Sequence, residues 1–223
     1  MSLRPRTFDA VLFDLDGTLV DSLSDIAASV NHVLGELGHP ILDLDTIRGH
    51  VGDGARSLVE RCLPAGVGPA AVDEALVRYQ ARYRSHLVVH TRPFDGVVPL
   101  LGALRSEGVR LAVVTNKPEA PARALVAQLF ADGTFELVIG EGPARPKKPS
   151  PAPALFAASA LGAAPSRTAF VGDSAVDVET GRAAGMTAIG VAWGLRPRSE
   201  LVAAGAALVA EDVGMLGRHL GLP

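Results

Sequence analysis

Short, continuous apolar runs recur along the chain and predict strands buried on both faces of a parallel sheet. Ala10-Val11-Leu12-Phe13 is the first. Similar runs follow at Leu111–Val114, Leu137–Ile139, Thr168–Val171, Ala188–Val191 and Ala206–Val209. Between the later runs the apolar positions switch to helical spacing. Val97, Leu100, Leu101 and Leu104 share one face, as do Ala122, Leu125, Val126 and Leu129. Strands alternating with helices of this length predict βαβ units, hence an α/β fold with a parallel sheet. The alternation lapses from about Leu19 to Thr91, where no strand is expected. Ser22 stands as an N-cap, Ile26, Val30, Val33 and Leu37 follow at helical spacing, and Gly38 and Pro40 end the helix. A second helix is expected from Ala55 to Leu63 and a third through Val72, Leu76, Tyr79, Tyr83 and Leu87. The pattern predicts an all-helical domain over residues 19–91, inserted into an α/β core made of residues 1–18 and 92–223. The Pro-rich stretch from Pro143 to Pro153 is too short for a linker and predicts a shaped loop.

Composition narrows the class of ligand. The chain has 223 residues, 48% hydrophobic and 20% charged, enough for one well-buried domain and a small accessory domain in a soluble globule. The net charge of -3 gives no general field favouring nucleic acid or an anionic membrane. No apolar stretch approaches the roughly 20 residues of a membrane-spanning helix, and the run after the basic start Met1–Arg6 is too short for a signal sequence. The expected partner is therefore a small molecule, with neither nucleic acid nor membrane, and the oligomeric state is open. Cys62 is the only cysteine, so no intrachain disulfide can form, which fits a cytoplasmic location. It lies on an apolar helical pattern and is expected to be a buried, inert thiol. An anionic ligand would depend on local positive charge, and lysine occurs only at Lys117, Lys147 and Lys148.

Ligands of parallel α/β sheets bind beyond the carboxyl ends of the strands. The first strand delivers Asp14-Leu15-Asp16-Gly17-Thr18 to that edge. The second delivers Thr115-Asn116-Lys117, and the fourth delivers Gly172-Asp173-Ser174 with Asp177 four residues beyond Asp173. Lys147-Lys148-Pro149 falls in the loop before the helix that leads into the fourth strand. Singly, each segment is more often a turn, a helix cap or a solvated charge than a site. Together and in this order they predict four acids, a hydroxyl, an amide and a lysine around one crevice. Such a concentration of carboxylates requires a cation, and the all-oxygen donor set points to a hard one, with Mg2+ the best fit. Thr115, Asn116 and Lys148 would supply donors to phosphate oxygens.

These segments, Phe13-Asp14-Leu15-Asp16-Gly17-Thr18-Leu19, Thr115-Asn116-Lys117, Lys148-Pro149 and Gly172-Asp173-Ser174 with Asp177, resemble the four motifs of the haloacid dehalogenase superfamily, in order and across essentially the whole chain. Val113–Pro118 and Val51-Gly52-Asp53-Gly54-Ala55 are similar to its phosphoglycolate phosphatase-like branch. The resemblance implies a Rossmann-like three-layer core with a mobile helical cap. It also implies a Mg2+-dependent phosphatase acting through an aspartyl-phosphate, most readily on 2-phosphoglycolate. Carried over, the nucleophile is Asp14 and the acid–base group Asp16. The metal ligands are Asp14, Asp173 and the Asp16 carbonyl, with Asp177 acting through water or as an orienting group. Thr115, Asn116 and Lys148 hold the phosphoryl group, Lys147 is a neighbour left open, and Lys117 is expected to be exposed. Substrate choice falls to the cap loop 49–56, where Gly52, Asp53 and Arg56 are the candidate specificity residues and the glycine amides and the Arg56 guanidinium are the candidates to meet a substrate carboxylate. The hinges are expected near Thr18–Val20 and Thr91–Phe94. Asp16 argues against a dehalogenase, and the absence of lysine between Leu19 and Thr91 argues against an imine-forming phosphonatase. A pyrophosphatase, a β-phosphoglucomutase-like isomerase and a non-catalytic phosphate-binding relative remain alternatives.

Overall fold

The computed structural model describes residues 7–143 and 145–223; the basic start Met1–Arg6 lies outside them. The strands are β1 (Ala10–Phe13), β2 (Val20–Asp21), β3 (Arg92–Pro93), β4 (Arg110–Pro118), β5 (Leu137–Glu141), β6 (Thr168–Gly172), β7 (Thr187–Val191) and β8 (Leu208–Ala210). Six of them form one sheet in the order β5-β4-β1-β6-β7-β8, and each neighbouring pair is parallel. The chain builds outward from β1 to β5, then crosses back over β1 to build β6 to β8. The reversal places β1 between β4 and β6, and the crevice of such a sheet opens at the carboxyl ends flanking the reversal.

Side chains alternate across the sheet as the strand period requires. Val11 and Phe13 of β1 join Val113 and Val171 in the core on one face. That face is covered by α5 (Val97–Ser106), α6 (Glu119–Leu129) and α10 (Val213–His219), through Leu101, Leu104, Leu125 and Leu216. Ala10, Leu12 and Phe170 face the other way, under the small residues Ala154, Ala157 and Ala158 of α7 (Ala152–Ala160). On the same side α8 (Ala175–Ala183) and α9 (Arg198–Ala203) pack Val178 and Leu201 against Ala188 and Val209. The three layers are those the apolar runs predicted. β8 sits slightly later than its run, over Leu208–Ala210, because Ala206 and Ala207 lead out of the turn at Ala204–Gly205 and pairing with β7 begins only at Leu208.

Four helices, not three, lie between β2 and β3: α1 (Leu23–Glu36), α2 (Leu44–His50), α3 (Ala55–Cys62) and α4 (Pro69–Ser85). Ser22 is at the N-cap of α1 but its hydroxyl does not cap the helix; it donates to Asp16 Oδ1 at 2.5 Å. β2 and β3 also correct the expectation of no strand: they pair antiparallel, Val20 with Pro93 and Asp21 with Arg92, where the hinges were expected. Asp25 fastens this double passage. Its buried carboxylate accepts the N–H groups of Val89, His90 and Thr91 and the Thr91 hydroxyl. Burial opposes the charge, but those donors outweigh it and hold the Asp25 pKa below the usual carboxylate value. Cys62 is buried in the helical layer and its thiol is pushed up to about 11 by that burial, as befits an inert side chain.

Candidate active site

The residue after β1 is Asp14, whose backbone N–H still bonds to Val171 O. The chain then turns through Gly17, at φ 82, where a side chain would collide with the Asp173 carboxylate. This turn directs Asp14 and Asp16 into one cavity of about 390 Å³, within the size range of small-molecule sites. Thr115, Asn116 and Lys117 from β4 and Asp173 and Ser174 from the end of β6 line the same cavity. The helical layer closes its far side with Val51, Gly52, Tyr79 and Tyr83.

Lys148 is buried and reaches two acids: its Nζ lies 2.8 Å from Asp14 Oδ1 and 2.6 Å from Asp177 Oδ1. Burial works against its charge, yet the two carboxylates hold its pKa above the usual lysine value. The second oxygen of Asp177 accepts the N–H and hydroxyl of Ser174. Asp173 accepts from the Thr18 hydroxyl at 3.1 Å and the Leu195 N–H at 2.7 Å. Ligand oxygens of Asp14, Asp173 and Asp177 all lie within 4.8 Å of one another. Three carboxylates against one ammonium leave an excess of negative charge in a buried place. Burial pushes Asp14 up to about 6 despite Lys148, and burial with the charges of Asp177 and Asp14 pushes Asp173 up to about 8. Asp14 Oδ1 is buried and, though close to Lys148, accepts no well-aligned hydrogen bond. The unmatched charge, the under-bonded oxygen and the all-oxygen donor set fit a hard divalent cation.

Several expected side chains have other work. The Asn116 side chain is fully engaged: its amide donates to Lys148 O and Gly52 O, and its oxygen accepts the Lys148 N–H. It therefore shapes the lysine loop rather than offering its side chain to a phosphate. Thr115 lines the cavity together with Asp14, and its hydroxyl accepts the Lys117 N–H at 3.2 Å. Lys117 is buried, not exposed. Its Nζ lies 2.9 and 3.0 Å from the two oxygens of Asp16 and donates to the Tyr83 hydroxyl at 2.7 Å.

The loop 49–56 turns its carbonyls, not its amides, toward the sheet domain. Arg196 donates to the carbonyls of Arg48, Gly49 and Val51, Asn116 to Gly52, and Lys147 to Asp53. Gly52 lines the cavity; Asp53 and Arg56 do not. The Asp53 carboxylate pairs with Arg61 at 2.6 Å, and Arg56 points to solvent in a pair with Asp73 at 2.5 Å. In this structure both charges are taken up by neighbours in the helical layer. Arg196, which sequence reasoning did not single out, holds the loop instead.

A three-layer parallel α/β sheet with an acidic, lysine-bearing crevice at the end of its central strand defines a hydrolase of the phosphoryl-transfer kind. The chain belongs to the haloacid dehalogenase-like hydrolase family, whose model matches residues 8–185. It is 42% identical over 196 residues to a phosphoglycolate phosphatase of Chromobacterium violaceum, covering 86% of this chain and 88% of that one. To a phosphoglycolate phosphatase of Rhodospirillum rubrum it is 39% identical over 222 residues, covering 96% and 91%. A crystal structure of a predicted phosphoglycolate phosphatase from Haemophilus somnus superposes with a TM-score of 0.90 at 27% identity, covering 96% of this chain and 98% of that one.

Proposed function

We propose that the chain is a cytoplasmic, Mg2+-dependent phosphatase of small phosphomonoesters, with 2-phosphoglycolate as its leading substrate. The observation that carries this reading is one cavity lined by Asp14, Asp16 and Asp173, with Lys148 bridging Asp14 to the buried Asp177 at its wall. The ion would be held by Asp14, Asp173 and the Asp16 carbonyl, oriented by Asp177, and would neutralise phosphate charge and keep Asp14 ionised. Asp14 attacks phosphorus, forming a bond from its carboxylate oxygen as the ester oxygen leaves. Asp16 gives its proton to that departing oxygen, then takes a proton from the water that hydrolyses the acyl phosphate. Lys148 and Thr115 steady the phosphoryl oxygens, and Asn116 keeps the lysine loop in place. Residues 19–91 serve as the cap, excluding water from the first step through the β2–β3 passages.

A panel of phosphate esters, including phosphoglycolate, sugar phosphates and pyrophosphate, ranked by kcat/KM with and without Mg2+, tests the assignment. Phosphoglycolate at the head of the panel supports it. Pyrophosphate at the head, or isomerisation of a sugar phosphate, replaces it with one of the alternatives above.

Metal binding has its own signature in stability. Without metal, the folded protein retains protons on Asp14 and Asp173 between the ordinary carboxylate value of 3.8 and about 6 and 8, respectively, whereas the unfolded chain releases them. The folded state then binds more protons, so the metal-free form loses stability as pH rises across that window. Mg2+ reverses the penalty. At about 100 times Kd it should add about 2.7 kcal/mol. At about 2–4 °C per kcal/mol for a chain of this size, the rise in Tm is roughly 5–10 °C. The shift, read by thermal melts in EDTA and in Mg2+, should grow from pH 5 to pH 8. A shift that is absent, or that shrinks with pH, contradicts the metal assignment.

A further inference from the structure

The cavity is larger than a two-carbon ester needs. At about 390 Å³ it falls in the range that encloses drug-sized ligands, and a two-carbon phosphate ester held at Asp14 and Lys148 fills only its inner end. The remainder runs outward between two helix faces. Gln80, Tyr83 and Arg84 of α4, with Leu87 just beyond it, form one wall at the spacing of a single helical face. Ala120, Pro121, Ala124 and Gln128 of α6 form the other, and the first three leave width because they are small. Thr115, Asn116 and Asp173 at the inner end are buried, whereas Gln80, Arg84, Ala120 and Gln128 are exposed, so these four mark where the cavity meets solvent. Ile26, Leu87, Pro121 and Ala124, buried or half-buried, give the cavity an apolar lining.

Charge singles out Arg84. Three cations line the cavity: Lys117, Arg196 and Arg84. Lys117 is held by Asp16, and Arg196 donates to the carbonyls of Arg48, Gly49 and Val51. Arg56, Arg61 and Arg78 of the helical layer each pair with an acid. Arg84 is the one cavity-lining cation that has no hydrogen-bond or ion-pair partner among the described residues. A guanidinium is a rigid fork of donors that matches a carboxylate, and this one stands at the far end of an apolar passage from the acids.

We propose that the outer cavity is a second recognition subsite, which admits phosphomonoesters whose alcohol carries an apolar spacer of several carbons ending in a carboxylate, with Arg84 as the specificity-determining residue that meets it. The inference rests on the phosphatase reading and extends its substrates beyond phosphoglycolate. The phosphate seats among the inner acids and their cation, the spacer displaces water from Leu87, Pro121 and Ala124, and the carboxylate emerges beside Arg84. Gln80 and Gln128 flank that end with amide donors and acceptors.

The test is a series of phosphate esters of ω-hydroxy acids from two to six carbons, each paired with the unsubstituted alkyl phosphate of the same length and assayed in Mg2+. In the parent, kcat/KM should rise by about two- to fourfold per added methylene, the value of burying one. The six-carbon acid should be hydrolysed at least as efficiently as phosphoglycolate and about 10-fold better than hexyl phosphate, the scale of one charge-assisted contact. Arg84→Gln should erase that 10-fold preference, and Arg84→Glu should transfer it to 6-aminohexyl phosphate, a reversal that a merely structural role would not produce. Ala124→Phe should narrow the passage and cost the six-carbon acid about 10-fold more than phosphoglycolate. Ala120→Phe makes the same test from an exposed position should Ala124→Phe fold poorly. No gain with chain length, or a carboxylate preference that survives both Arg84 variants, would overturn the inference. p-Nitrophenyl phosphate separates the two levels: a parent that hydrolyses it but shows no gain with chain length refutes the subsite alone, and a parent inactive on it refutes the phosphatase reading and the subsite together.

Discussion

Asp14→Asn should abolish turnover, by about 10⁴-fold or more, the scale on which a covalent nucleophile is missed. The amide is nearly isosteric with the carboxylate but cannot form an acyl phosphate, and it is a poor metal ligand. The fold should survive. In the metal-free protein Asp14 is a buried carboxylate that its surroundings push up to about 6, so an uncharged side chain relieves repulsion with Asp177 and Asp173. Lys148 keeps its contact to Asp177 at 2.6 Å. In EDTA the variant is therefore expected to melt at or above the parent temperature while showing no steady-state phosphate release. Appreciable residual kcat in a clean preparation removes Asp14 from the nucleophile's role.

Lys148→Ala should reduce kcat by about 10²–10³, the cost of removing one preorganised electrostatic donor. Among the described residues Lys148 is the one cation in direct contact with Asp14, and no other ammonium is placed to replace it: Lys117 is committed to Asp16, and Lys147 donates to the Asp53 carbonyl. The same change leaves Asp14 and the buried Asp177 without their counter-charge, so the metal-free melting temperature should fall, and Mg2+ should restore more of it than in the parent. Kinetics are to be read on the Mg2+-loaded form, where loss of fold and loss of catalysis separate. Lys147→Ala should cost far less. A reversal of the two effects would mean that Lys147, not Lys148, holds the phosphoryl group.

The strands were legible because a parallel strand buried on both faces is apolar at every position. β1 was read to the residue, and three of the four motifs were read because each directly follows such a run, whereas Lys148-Pro149 stands in the loop between β5 and α7. Helix α2 gave no signal because Ile47 is its only buried residue, so no apolar period marks it; Asp43 capping Thr46 was the available cue. The passages β2 and β3, two residues each, are too short to leave a pattern. The errors at the site share one cause: which partner captures a polar side chain is decided by tertiary contact. Arg56 went to Asp73, seventeen residues on, and the Asn116 amide went to the backbone of Lys148 and Gly52. Lys117 found Asp16, 101 residues away. Strand alternation did carry a hint in that case, since Thr115 and Lys117 are two apart on β4 and a residue two from a site-facing hydroxyl shares its side of the strand.

The central claim is that phosphate passes through Asp14. The direct measurement is a rapid acid quench of the Mg2+-loaded protein during a single turnover of ³²P-labelled phosphomonoester, followed by mapping of the protein-bound label. With an activated aryl phosphate, whose leaving group needs no proton from Asp16, the variant Asp16→Asn, in which activation of the attacking water is impaired, should accumulate more label than the parent. The account predicts an acid-stable, hydroxylamine-labile phosphate on the peptide that contains Asp14, lost in Asp14→Asn. Full release of inorganic phosphate with no bound label in either protein, or label on another residue, would contradict it.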